Sequence, residues 1–134
     1  MSRITPVIFS VTNASSIDTS ALADIGDVVA GLDGCRTQCG FEVKNADADA
    51  FADFALLIQP HPGSTFFSLL TGADWATVAG ILKSCKTTPR TLATGSTYCY
   101  VEIGPCNAVK FQCKAAANAI TAGNAIVRGF VGRL

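Results

Sequence analysis

Cys39–Gly63 reads CGFEVKNADADAFADFALLIQPHPG, and the reading of this stretch decides the fold class. Gly40–Lys44 puts Phe41 and Val43 on one side and Glu42 and Lys44 on the other, the period of a half-buried strand. Asn45–Asp53 interrupts that pattern with Asn, Ala and Asp, a composition that favours a turn or loop. Phe54–Gln59 returns as a mostly apolar run stopped by Pro60 and Pro62, as expected of a strand buried on both faces. Strand, short polar crossing and second strand together predict a hairpin at the centre of a β-sandwich. No catalytic or ligand motif lies within it.

On either side the same grammar repeats. Val7–Val11 is β-branched and aromatic, follows Pro6, and predicts a first strand; residues 1–12 form either an N-terminal arm or an edge strand. Asn13–Asp24 predicts loop, because Ile17, Leu22 and Ile25 lack regular helical spacing. Ile25–Leu32 predicts a strand ended by the turn dipeptide Asp33-Gly34. Thr65–Leu70 predicts another, closed by Thr71-Gly72. In Ala73–Lys83, Trp75, Val78, Ile81 and Leu82 recur at helical spacing, but Gly80 weakens a helix. The expectation there is a loop with one helical turn, then a short strand near Ile81–Cys85. Thr87–Gly95, with Pro89, predicts loop. Thr97–Ile103 and Ala108–Lys114 alternate cleanly around a turn at Gly104–Asn107, and Ala125–Val131 predicts the last strand. Short strands separated by turn signals predict an all-β, single-domain antiparallel β-sandwich or jelly roll over residues 1–134.

A chain of 134 residues suits one domain that buries roughly two-thirds of its unfolded surface. Ten basic residues balance ten acidic ones, which predicts neither nucleic acid nor membrane as a partner. At 49% hydrophobic and 15% charged, the composition suits burial of extra surface against neighbouring copies, or simply a large core. The first residues lack the apolar core and cleavage site of a signal peptide, and the longest apolar run, around Phe54–Ile58, is far too short to span a bilayer.

Six cysteines stand at positions 35, 39, 85, 99, 106 and 113. Without a signal peptide, three disulfides lose support, and Cys35-x3-Cys39 is not zinc-ribbon spacing. Cys39 shares a face with Phe41 and Val43, Cys99 with Val101 and Ile103, and Cys113 with Val109 and Phe111. These three are therefore expected as buried free thiols that pack the core.

Candidate chemistry lacks parts. Asp47, Asp49 and Asp53 are the densest carboxylate group, but a calcium loop of EF-hand type needs Gly at its sixth position and Glu at its twelfth. Counted from Asp47, those positions hold Ala52 and Ile58. His61 lies between two prolines, and nothing marks the third, orienting group that a nucleophile–histidine pair requires. There is no phosphate-binding Gly-rich loop followed by Lys-Ser/Thr, and Arg128 and Arg133 make no basic stripe. The expectation is a protein without catalytic, cofactor-binding or metal-binding residues. A carbohydrate platform would draw on Trp75, Tyr98 and Tyr100, the obvious aromatics.

Two passages carry a resemblance. Phe41-Glu-Val-Lys-Asn-Ala-Asp followed by Phe51-Ala-Asp-Phe resembles the strand-turn-strand of bacterial immunoglobulin-like modules. The TLATGST loop at 91–97, the strands Tyr98–Ile103 and Val109–Lys114, and the terminal AIVRGFVGRL at 125–134 are similar to the endings of small tailed-bacteriophage virion proteins. This resemblance implies a non-enzymatic structural protein of the virion, assembled in the host cytoplasm: a head decoration or cement protein, otherwise a neck or tail component. Its implied partners are copies of itself and capsid, neck or tail proteins. The alternative is an immunoglobulin-like adhesion or carbohydrate-binding module, and a small hydrolase comes third.

Overall fold

A computed structural model describes residues 5–32, 37–77 and 83–132 of the chain. In order, these contain β1 (Val7–Thr12), β2 (Ala23–Asp24), β3 (Gln38–Asn45), β4 (Phe51–Gln59), β5 (Phe67–Leu70), α1 (Asp74–Thr77), β6 (Lys83–Cys85), β7 (Gly95–Glu102), β8 (Ala108–Ala115) and β9 (Ala125–Gly132). The strands form two sheets, β1-β9-β3-β7-β6 and β2-β8-β4-β5, with every pairing antiparallel. Packed face to face, they make an all-β sandwich, as the alternating strands predict.

The core lies between the inward faces of β3, β7 and β9 on one side and β4 and β8 on the other. Its centre is a chain of aromatic rings. Phe111 of β8 stands 5.5 Å from Phe9, 5.0 Å from Phe41 and 6.1 Å from Phe54, centroid to centroid. Phe54 continues the chain to Phe51 and Trp75. Offset and tilted rings at such spacings add to the burial of their large apolar area. Gly129, in register with both Phe9 and Phe41, lets the β3 backbone approach closely. A Cβ at Gly129 would collide with the carbonyl oxygen of Gly40.

The predicted central hairpin is corrected. β3 and β4 belong to different sheets: β3 pairs with β7 and β9, and β4 with β5 and β8. Residues 46–50 therefore carry the chain from one layer to the other. The alternation in β3 says which face is buried, but both faces of a hairpin and of a crossing look alike to a local pattern. Among the described strands, only β4–β5 and β6–β7 pair with their neighbours in sequence.

Ile25–Leu32 is also corrected. It follows β8 through isolated bonds, Ile25 N to Phe111 O, Val29 N to Val109 O and Leu32 N to Asn107 O, rather than as a regular strand. Gly26 and Gly31, at φ +73° and +75°, break the extended path on either side of Val29. β4 begins at Phe51 rather than Phe54, and Thr65–Leu70 shortens to β5. The helical turn expected after Ala73 is α1. Asp33-Gly34, Cys35, Val78, Gly80, Ile81, Leu82 and Arg133 lie outside the described residues.

Candidate interaction surface

Asp47, Asp49 and Asp53 do not converge on one point. Asp47 lies at the centre of a polar knot that ties together the loops at one end of the sandwich. Its Oδ2 accepts hydrogen bonds from Thr121 N at 2.9 Å and Asn124 Nδ2 at 3.0 Å, and its Oδ1 from Asp49 N at 3.1 Å. These donors, the Asn124 amide first, hold the Asp47 carboxyl well below the usual carboxylate range. Asn45 donates to Asp49 O and Leu92 O and accepts from Asp47 N. Buried Asn13 donates to Ser15 O and Thr121 O and accepts from Gly123 N and Ala125 N. Asp49 accepts from Asn118. Asp53 works elsewhere, accepting from Gly72 N and Thr71 Oγ1 at the turn after β5. The acidic stretch is used for closing loops. Its oxygens face N–H and hydroxyl donors.

His61 is exposed, with its ring nitrogen 3.2 Å from Pro62 O and its backbone N–H near Ser64 Oγ. The Ser64 hydroxyl donates to Thr65 O. Cys39 and Cys113 are buried free thiols, as their alternation predicts, and Cys106 is a third. Burial pushes Cys39 far above its ordinary value, with the Cys106 sulfur adding to the effect. Cys106 is pushed up to about 11 and Cys113 to about 12, both by burial. Thiols so shifted are poor nucleophiles at neutral pH. Cys99 is a correction: it is buried, but bonded to Cys85 in a disulfide. The two are directly opposed in the β6–β7 ladder, a pairing that alternation along β7 alone does not reveal.

The aromatic candidates divide. Trp75 is buried at 6% exposure, stands 5.6 Å from Phe54, and donates its indole N–H to Phe54 O at 2.6 Å. It belongs to the core and leaves any carbohydrate platform. Tyr98, 50% exposed, and half-buried Tyr100 stand on the outward face of β7.

That outward face of the five-stranded sheet carries Ile8 and Tyr98, two of the four exposed large apolar side chains among the described residues. Register aligns Ile8, Phe130, Gly40 and Tyr100 across β1, β9, β3 and β7. The next row carries Ser10, Arg128, Glu42 and Tyr98, with Arg128 Nε donating to Glu42 Oε1 at 2.7 Å. Phe130 and the Tyr98 hydroxyl converge over Gly40, where an added Cβ would lie 2.7 Å from each. The glycine is thus a floor roofed by aromatic side chains, a device that compensates the weak packing of Gly in a strand. Ile8, at the margin, is 75% exposed. Ile8 and Phe130 are missed in the sequence reading, since each looks like the ordinary apolar content of a strand. The available signal is in β9, where Phe130 alternates with Gly129 and Val131 and so must point away from the core.

The four sheet edges differ as well. β2 has two residues, and β6 has three, including Lys83 and the disulfide-bonded Cys85. β5 has four, with a register break opposite Leu56/Leu57. Shortness, Lys and bulges are the usual guards of an edge. β1, VIFSVT, has six residues in unbroken register and no charge.

No family model matches this chain, and no curated protein does. Among solved structures, the SPBc2 prophage-derived protein YomS is similar in fold: the TM-score is 0.51 at 12% sequence identity, over 98% of this chain and 97% of that one.

Proposed function

We propose that the protein is a non-enzymatic structural component of a bacteriophage virion that acts through subunit contacts. A decoration or cement protein of the head is the position we favour, with neck or tail next. The observation that carries this reading is where the molecule leaves its surface uncommitted. Its carboxylate cluster is spent on loop closure, whereas apolar side chains face outward across one sheet beside an unguarded edge. A particle component needs that arrangement and no pocket, because repeated modest contacts add by avidity. The prophage origin of YomS, which shares the fold end to end, supports the phage setting. The partners are then copies of this chain and of capsid, neck or tail proteins, and the site of action is the virion. Mass spectrometry of gradient-purified particles from the encoding host tests this. The chain should occur at a copy number in fixed ratio to the capsid protein, and its absence from particles would overturn the proposal.

One observation favours a second reading, the carbohydrate-binding or adhesion module. Tyr98 and Tyr100 share an outward face next to the Arg128–Glu42 ion pair, and stacking platforms with charged hydrogen-bonding neighbours suit sugars. A glycan array showing binding that Tyr98→Ala abolishes would move the conclusion there.

A further inference from the structure

We infer that the free edge of β1 is a self-association site, pairing antiparallel with β1 of a second copy so that two five-stranded sheets join into one. The inference deepens the subunit-contact reading and rests on it for the identity of the partner. Asn13 N donates to Ala125 O, and on the other side of β9 Ala46 N donates to Asn124 O. Antiparallel ladders alternate, so Val7, Phe9 and Val11 bond to β9. The N–H and C=O groups of Ile8, Ser10 and Thr12 then point to the free edge, where no described residue pairs with them. Gly26 crowds the Thr12 end: a Cβ there would come within 2.9 Å of Thr12 N and 3.0 Å of Thr12 O. A shallow cleft of about 240 Å³ lined by Ser10, Val11, Thr12, Ala14, Gly26 and Asp27 opens beside it. Among the described residues, the unobstructed part of the edge is therefore Ile8 and Ser10.

Why a second copy, rather than a different strand? A two-fold axis at Phe9 pairs Ile8 with Ser10 of the partner and Ser10 with Ile8 of the partner, which satisfies the open groups of both chains reciprocally and leaves the crowded Thr12 aside. β1 has no charge that self-pairing would set against its like. In this register the two Ile8 side chains become diagonal neighbours on the outward face, close enough to touch. That covers the most exposed large apolar side chain among the described residues. Pairing of one edge is small beside stable interfaces, so it is weak alone and gains by repetition on a particle.

The test uses the full chain. Ser10→Pro deletes an N–H that the fold does not use, and Pro is tolerated on an edge strand whose N–H faces out. Ile8→Lys adds a charge at an exposed position and sets it diagonally against its copy. Sedimentation over a rising concentration series should show wild type shifting from monomer to dimer, with Ile8 and Ser10 amides gaining protection from deuterium exchange as it does. Both variants should stay monomeric with unchanged unfolding curves. If Ser10→Pro fails to fold, Ile8→Lys alone decides. A wild type that stays monomeric, or variants that dimerise like it, would overturn the inference. A monomer found in purified particles would remove this contact and leave the virion reading standing, whereas a β1-dependent dimer absent from particles would do the reverse.

Discussion

The knot around Asn13, Asn45 and Asp47 and the free edge of β1 are both places where the chain leaves regular pairing, and they are finished in opposite ways. In the knot, each side-chain amide and carboxylate finds a partner, so four loops far apart in sequence close on one another. The buried side-chain atom left without a partner among the described residues, Gln38 Oε1, is not part of it. Along β1, alternate backbone groups find no partner among the described residues, although Phe9 between them is buried in the core and Val7 and Val11 pack against it. Stability resides where bonding is complete. An interaction surface is to be sought where it is not.

The largest effect is expected from the buried amide of the knot, Asn13. Asn13→Ala deletes four hydrogen bonds at a buried position and should cost on the order of 4 kcal/mol in chemical denaturation. A loss below about 1 kcal/mol would mean that the loops close without it.

The stapled edge at β6 sharpens the contrast with β1. Reducing Cys85–Cys99, which closes a separation of 14 residues, or replacing Cys85 by Ala should lower stability by about 3 kcal/mol. Cys39, Cys106 and Cys113 should resist thiol reagents in the native protein and react after unfolding. Rapid native labelling would contradict their burial.

Acid probes the knot through Asp47. Asp47 titrates lower in the folded state than the ordinary value of about 3.9, so its stabilisation is present above that value and is lost as pH falls below it. Melting temperatures of wild type should therefore drop between pH 6 and pH 3 more than those of Asp47→Asn. Asp18, held low by hydrogen bonds from Ser20, keeps a residual slope in the variant. Equal slopes would show that the Asp47 carboxylate is not held low in the fold.

The smallest expected effect on stability is at the open edge. Ile8→Lys should change unfolding free energy by no more than about 0.5 kcal/mol, as exposed substitutions usually do. A larger loss would mean that Ile8 packs within its own subunit, and the contrast between knot and edge would narrow.

Much of the fold was legible because period-two alternation is a local property. Phe41/Val43, Cys99/Val101 and Val109/Phe111 announce inward faces from a few residues each, and Gly and Pro mark turns. Cys39 and Cys113 as buried thiols follow from the same signal.

Sequence alone sufficed for the inward faces of β3, β7 and β8 and for the all-β class. Tertiary structure decided partners. Whether β3 meets β4 or β9, and whether Cys99 meets Cys85, depends on pairing between segments that local pattern does not link, for example Gln38 opposite Gly132. The same holds for the surface. Val7–Thr12 reads alike as an arm, an edge or an inner strand, because an unpaired backbone group has the same side-chain sequence as a paired one. Only its place beside β9, with Gly26 crowding one end, leaves Ile8 and Ser10 without a backbone partner among the described residues.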